Sequence, residues 1–171
     1  MLENKGIKLL PLEENHLKLI QEWQNNYDIT KYTTVNSFLP KSYNEEKKWF
    51  ERKNNDPLSK VFIIEVIAYS ELVGFVSYSN LDYRNQKAYL SIVIGNKDFH
   101  GKGIASQALQ SIEYLMKCEF NIRKLTVQVL AYNTPSLILF QRNGYIVEGI
   151  LKEEVYRDGK FHDIHLLSKF I

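Results

Sequence analysis

Three runs rich in β-branched and aromatic residues, Val61–Ile67, Leu72–Ser79 and Ala88–Ile94, follow one another with only short polar stretches between them, such as Leu81-Asp-Tyr-Arg-Asn-Gln86. Runs of this composition read as strands. Connections this short join only antiparallel neighbours, because a parallel pair needs a crossover of a dozen residues or more. The middle of the chain is therefore an antiparallel meander, which sets it apart from folds built of parallel βαβ units.

Before the meander, Ile7–Leu10 is a short apolar run stopped by Pro11, and Leu17, Ile20 and Trp23 then recur at helical spacing between charged neighbours. Ser42-Tyr-Asn-Glu45 is a capping box, in which hydroxyl and carboxylate satisfy orphan backbone donors, and it opens a second helix to about Arg52. After the meander, Ile104, Ala108, Leu109, Ile112, Leu115 and Met116 trace one face of a helix running to about Glu119. Leu125–Leu130 reads as a strand. Thr134 as N-cap, Pro135 at the first helical position and Gly144 as C-cap glycine bound a short helix, Pro135–Asn143. Ile146–Leu151 and Ile164–Ser168 are the last strands, the latter after a turn at Arg157-Asp-Gly-Lys160. The order is βααβββαβαββ, an α/β fold with a mixed, mostly antiparallel sheet flanked by helices. No repeat, low-complexity segment or Pro/Gly/Ser-rich linker marks a boundary, so residues 1–171 read as one domain.

A chain of 171 residues buries roughly 70% of its unfolded surface and needs no disulfide or metal to support a core. Cys118 is the single cysteine, which rules out an intrachain disulfide and a thiolate metal cluster, fits a reducing compartment, and reads as a small packing residue. The net charge of +2 is too small to attract nucleic acid or an anionic membrane in bulk. The start, Met1-Leu-Glu-Asn-Lys5, has no cationic region followed by an apolar one, and Glu65 cuts the run Val61–Ile64 far short of a bilayer span. The protein reads as cytoplasmic, with no membrane and no nucleic acid among its partners. His16, His162 and His165 lack ligand-like partners at metal spacing, so no metal is expected.

The segment Ile92-Val-Ile-Gly-Asn-Lys-Asp-Phe-His-Gly-Lys-Gly-Ile-Ala-Ser106 carries the chemistry. A strand passes through a glycine loop into the long helix, whose first-turn N–H groups and dipole favour a phosphate. Gly101 and Gly103 permit close approach of a ligand, or serve only a tight turn. The first turn, Ile104-Ala-Ser-Gln107, lacks the carboxylates usually welcome there, and Lys97, His100 and Lys102 surround the loop with donors. A Walker A loop is excluded because Gly95 stands too far from Gly101 and Gly103 occupies the hydroxyl position. A dinucleotide fingerprint is excluded by Ser106 in place of its third glycine.

On these residues the chain resembles the GNAT superfamily of acetyl-CoA-dependent N-acetyltransferases. The family signature, Arg/Gln-x-x-Gly-x-Gly/Ala, reads here His100-Gly-Lys-Gly103-Ile-Ala105, departing at His100. Asn133-Thr-Pro-Ser136 and Asn143-Gly-Tyr145 match a second family element. Gly144-Tyr-Ile-Val-Glu-Gly149-Ile-Leu-Lys152, Tyr156-Arg-Asp-Gly-Lys-Phe-His-Asp163 and Trp23-Gln-Asn25 are similar to the branch of ribosomal-protein N-terminal acetyltransferases, a pattern shared with acetyltransferases of spermidine and of UDP-amino-sugars.

The resemblance implies that the backbone from Phe99 through His100, Gly101, Lys102, Gly103, Ile104 and Ala105 to Ser106 holds the pyrophosphate of acetyl-CoA. Ile92, Val93 and Ile94 line the pantetheine or are plain core strand, and an N–H near Ile94 polarises the acetyl carbonyl. Asn133 bonds the CoA arm or orders the strand end. Where some members carry a Glu base this chain has Gln128, and where many carry a Tyr acid it has Phe140, so Ser136 becomes the candidate for contacting the thiolate, or is a solvated hydroxyl. Tyr89, Glu65 and Glu148 receive no role. Tyr32–Pro40, aromatic and polar without helical period, is expected to wall the acceptor site.

The reading is an N-acetyltransferase acting on a small-molecule or peptide amine, with a protein N-terminal α-amine preferred. A polyamine or UDP-amino-sugar acceptor is the alternative. A CoA-binding module without turnover is the reading from another class, and a homodimer is the oligomeric form the resemblance suggests. An α-amine of pKa ~8 is already partly neutral near pH 7, whereas an alkyl ammonium near ~10.4 must first lose its proton.

Overall fold

The structure is a computed structural model that describes residues 2–33 and 38–171. Among them stand eight strands in one sheet and five α-helices. The strands are β1 (Leu2–Asn4), β2 (Ile7–Pro11), β3 (Lys60–Val66), β4 (Glu71–Asp82), β5 (Lys87–Ile94), β6 (Lys124–Leu130), β7 (Ile146–Arg157) and β8 (Lys160–Phe170). The helices are α1 (Leu17–Gln24), α2 (Tyr27–Thr33), α3 (Tyr43–Asn55), α4 (Ile104–Cys118) and α5 (Thr134–Arg142). The sheet runs β1-β2-β3-β4-β5-β6-β8-β7. Every neighbouring pair is antiparallel except β5 and β6, which α4 joins as a crossover.

Alternation along the strands sends side chains to two cores. On one face, Ile64, Val66, Val76 and Leu90 meet Ala108, Leu109, Ile112 and Met116 of α4, together with Phe140 and Tyr145. On the other, Val61, Ile63 and Val93 meet Ile20 and Trp23 of α1 and Ile29 of α2. The capping box forms as the sequence predicts: the Ser42 N–H donates to Glu45 Oε2 at 2.8 Å, and the Glu45 N–H to Ser42 Oγ at 3.3 Å.

The expected mixed, mostly antiparallel α/β architecture is present, with two elements the sequence reading omits. Strand β1 folds back onto β2 through Lys5 and Gly6, both at positive φ, a turn that does not use the usual Asn-Gly pair. Helix α2 forms where no helical period is visible, because only Ile29 and Thr30 of its seven residues are buried. The last two strands are longer than expected. Register shifts at Val147/Gly149 and Leu151/Val155, with Glu153 at φ 53°, interrupt the alternation that would have revealed them. The N-cap of α5 is Asn133, one residue before the expected Thr134. Cys118 is exposed rather than a core packing residue, since it sits two residues past the inward-facing Met116, about 200° around α4. Among the described residues no helix is long and apolar enough to cross a membrane.

Candidate active site

Strands β5 and β6 pair only where Lys87–Tyr89 face Lys124–Thr126, and their ladder then ends. The opening between them holds a cavity of about 450 Å³, walled by Tyr89–Ile92 on β5, Val127–Val129 on β6, Asn133 and Ser136 at the start of α5, and Phe140 further along it. Tyr32, Thr33, Ser79 and Asn80 complete it. The side of β5 facing this cleft follows from hydrogen-bond parity. The Gly95 N–H donates to the Val73 carbonyl on β4, so Gly74 and Ile94 form a non-hydrogen-bonded pair, and the N–H groups of Ile94 and Ile92 point towards β6. Beyond Tyr89 no β6 ladder partner meets them, which leaves donors aimed into the cleft.

At the end of β5 the chain turns through Lys97–Phe99 into the glycine loop. Gly101 and Gly103 have φ of +72° and +78°, the left-handed conformation that favours glycine, and open space surrounds the position of a Cβ at each. Gly103 is the N-cap of α4; no side chain caps the helix, and its first intrahelical bond runs from the Gln107 N–H to the Gly103 carbonyl. The first-turn N–H groups of α4 therefore have no intrahelical partner, and the turn carries no carboxylate. These features fit a pyrophosphate, and the cleft beside them fits an extended acyl-carrying arm.

The side chains around the loop differ from the sequence expectation. Lys97 reaches away to Asp28 on α2 at 3.0 Å, and together with Lys31 it holds the Asp28 carboxyl below the usual carboxylate range. His100 Nε2 lies 2.9 Å from the Ile94 carbonyl, and the Lys102 ammonium stands over the Phe99 ring. Phe99 and Ile104 are buried in the α4 core, and Ser106 donates to Asn143 Oδ1 at 2.8 Å, tying α4 to the end of α5. What this loop presents to a ligand is backbone.

Among the three β5 residues, Ile92 lines the cleft and Ile94 packs against the α4 core, while Val93 faces a second cavity on the α1–α3 side. Asn133 is committed twice within the protein: Oδ1 accepts from the Ser136 N–H at 3.2 Å, and Nδ2 donates to the Tyr32 carbonyl at 2.9 Å. Ser136 is half-buried on the cleft wall, and its hydroxyl has no hydrogen-bond partner among the described residues. Gln128 and Phe140 both line the cleft, the ring of Phe140 packed edge-on against Tyr145. Tyr89 lies in the cleft as well. Glu65 pairs across to Lys8 on β2, and Glu148 is bonded to Lys124 at 2.7 Å, so neither reaches it.

The second cavity, about 280 Å³, shares Thr33 and Ser91 with the cleft and is lined further by Gln24, Thr30, Phe38, Leu39, Lys41, Trp49, Lys53, Val61, Phe75 and Ser77. Thr33, Phe38 and Leu39 belong to the stretch expected to wall the acceptor site; its residues 34–37 lie outside the described ones. Sequence reasoning missed how this wall is held. The Lys41 backbone N–H donates to Asn25 Oδ1 at 2.7 Å, and its carbonyl accepts from Gln21 Nε2 and Asn25 Nδ2 at 2.7 and 2.9 Å.

Comparison with known proteins agrees with this geometry. The family described as acetyltransferase (GNAT) domain matches residues 7–146. Spermidine N(1)-acetyltransferase of Vibrio cholerae is 25% identical over 173 residues, spanning 98% of this chain and 97% of that one. Ribosomal-protein-serine acetyltransferase of Escherichia coli is 27% identical over 113 residues, 66% of this chain and 62% of that one. The crystal structure of spermidine N-acetyltransferase from Vibrio cholerae in complex with CoA and spermine shares the fold, with a TM-score of 0.90 at 24% identity over 98% of this chain and 96% of that one. The chain thus belongs to the GNAT acetyltransferase family and is an acetyl-CoA-dependent N-acetyltransferase.

Proposed function

We propose that residues 1–171 act as one catalytic unit that transfers the acetyl group directly from acetyl-CoA to the α-amine of a protein N-terminus. The observation that carries this reading is the composition of the cleft. Its polar wall consists of Tyr32, Thr33, Ser79, Asn80, Tyr89, Ser91, Gln128, Asn133 and Ser136, and among the described residues it contains no carboxylate or imidazole. Such a wall suits an amine that is partly neutral before it enters, as an α-amine is. When bound, acetyl-CoA supplies an activated acyl group with a thiolate as leaving group. The backbone from Phe99 to Ser106 would hold its pyrophosphate, with Lys97 excluded by its pairing to Asp28. The Ile94 N–H would donate to the acetyl carbonyl oxygen, and the free hydroxyl of Ser136 would donate to the departing sulfur.

Full-length similarity to a spermidine N(1)-acetyltransferase favours a second reading, a polyamine acceptor. Against it, the acceptor-side cavity presents Lys41 and Lys53. The homodimer reading is supported by the β7 edge, where Ile146, Val147 and Ile150 are exposed; sedimentation at micromolar concentration tests it.

Thiol release measured with a peptide α-amine and with spermidine decides the acceptor. Turnover of the peptide at higher kcat/KM supports the proposal, and turnover of spermidine alone refutes it. Thermal unfolding with acetyl-CoA tests the loop: ligand at a hundred times Kd contributes about 2.7 kcal/mol, roughly 5–10 °C for a chain of this length. That shift should vanish in Gly101→Asp/Gly103→Asp, and its persistence there would move the cofactor off the loop.

A further inference from the structure

Three cavities adjoin in sequence across the α1–α3 face. The reaction cleft shares Thr33 and Ser91 with the acceptor cavity, and the acceptor cavity shares Lys41 and Trp49 with an open groove of about 920 Å³ along α3. A path therefore runs from the end of the acetyl site to the outer surface, suited to an extended chain that advances about 3.3 Å per residue. The first stage beyond the cleft is not neutral. Phe38, Leu39, Trp49 and Phe75 form its apolar walls, and Lys41 and Lys53 are its only charged groups among the described residues. The undescribed residues 34–37 carry no charged side chain.

The two lysines are not equivalent. Lys41 is held in place through its backbone by Gln21 and Asn25, and its ammonium meets Gln24 and lies 3.5 Å from Glu46. Glu46 is fully buried behind it and compensates part of its charge. Lys53 is half-buried and forms no close ion pair among the described residues; its charge is felt by Asp56 in the adjoining groove, whose carboxyl it helps to hold below the usual range. Further out the groove mixes signs, Lys48 and Arg52 against Glu45, Glu51 and Asp56. The charge lining the acceptor cavity itself is thus positive among the described residues, in the chamber that shares Thr33 and Ser91 with the reaction cleft.

Resting on the α-amine reading above, we infer that the acceptor is an acidic N-terminus: a carboxylate at its second or third residue seats against Lys53, with Lys41 behind it. A charge contact of this kind raises affinity for the right sequence and penalises a cationic one, so it acts as a filter as well as an anchor.

The test uses the full chain, saturating acetyl-CoA, and three peptides with a common N-terminal alanine followed by Asp-Glu, Gln-Asn or Lys-Lys, with spermidine as a fourth acceptor. The acidic peptide should exceed the neutral one by about two- to fivefold in kcat/KM, the ratio expected of a partly exposed charge contact, and the basic one should be poorest. The acid-to-neutral ratio should shrink as salt is added. In Lys53→Glu it should fall to one or below, and in Lys53→Gln to near one, with folding of both variants checked by thermal unfolding. Equal turnover of all three peptides, or an acidic preference that survives both variants, overturns the inference and leaves the α-amine reading standing. Turnover of spermidine with no peptide acetylated overturns both.

Discussion

Of the glycines, the one whose missing Cβ lies nearest a side chain is Gly95, immediately after β5. A Cβ built there would stand 2.2–2.5 Å from three ring atoms of Trp23. Carbon atoms in contact prefer about 3.5–4.0 Å, so Gly95→Ala forces the indole of α1 to retreat by more than an ångström. Trp23 has little room to do so: it is buried among Leu12, Ile20, Ile29, Val61, Ile63 and Val93, with Phe75 stacked at 6.5 Å. Overpacking of this sort costs about 2–3 kcal/mol, which for a chain of 171 residues lowers Tm by about 5–10 °C. Trimming the indole should relieve the clash. Trp23→Leu alone leaves a cavity and costs about 2–4 kcal/mol, but the double variant should be less destabilised than the sum of the single ones by about 1–3 kcal/mol. Urea unfolding of the four proteins measures this coupling. Additivity within about 0.5 kcal/mol, or a Gly95→Ala variant with the parent's Tm, would refute the packing argument.

Other expectations follow from the same geometry. Ser136→Ala should lower kcat by about 10²-fold with little change in the acetyl-CoA-induced thermal shift, and adding Phe140→Tyr should restore part of it by returning a proton donor to the cleft; equal loss of kcat and cofactor binding would remove Ser136 from the chemistry. Replacing Gly103 with Ala should lower Tm by only about 2–8 °C, since the Cβ meets nothing and the left-handed φ alone costs about 1–2 kcal/mol. Burial raises the Glu46 carboxyl above its ordinary range and outweighs the attraction of Lys41. The contribution of this carboxyl to stability is then fully present below the unfolded value near ~4.3 and is lost as pH rises through the folded one, so Glu46→Gln should raise Tm at pH 7 and lose that advantage below about pH 4, as a pH series of melting curves would read.

Features legible in the sequence were those governed by local rules. The short polar connections required an antiparallel meander, Ser42 and Glu45 announced the start of α3, and the carboxylate-free turn after Gly103 marked the open end of α4. Ile92, Asn133, Ser136 and Phe140, the positions to which the family resemblance drew attention, all line the cleft. What escaped notice depends on partners far along the chain. Gly95 shows nothing unusual in its neighbours, because the atom it must make room for is on Trp23 of α1. The hold of Gln21 and Asn25 on Lys41 spans sixteen to twenty residues of chain. The side chain of Lys97 looks like a phosphate ligand in sequence and is an ion-pair partner of α2 in the fold.

Helix α2 shows most clearly how tertiary contacts can build an element that its own sequence leaves unmarked. Three successive carbonyls near its end are each met by a side chain from a distant segment: Thr30 by Arg157 at 3.3 Å, Lys31 by the Tyr132 hydroxyl at 2.5 Å, and Tyr32 by Asn133 at 2.9 Å. At its start, Tyr27 donates to Asp158 at 2.6 Å, and Asp28 bonds Lys97 at the edge of the glycine loop. A seven-residue helix is too short to hold itself together in water, so these ties supply what propensity does not. They come from the loop before α4, the loop before α5 and the end of β7 with its turn into β8. The same Asn133 therefore caps the helix that carries Ser136 and fastens the helix whose end carries Thr33 into the wall between the cleft and the second cavity. The cleft wall at Ser136 and the wall of the second cavity at Thr33 are joined through this residue, which gives the motif asparagine a structural role in the fold.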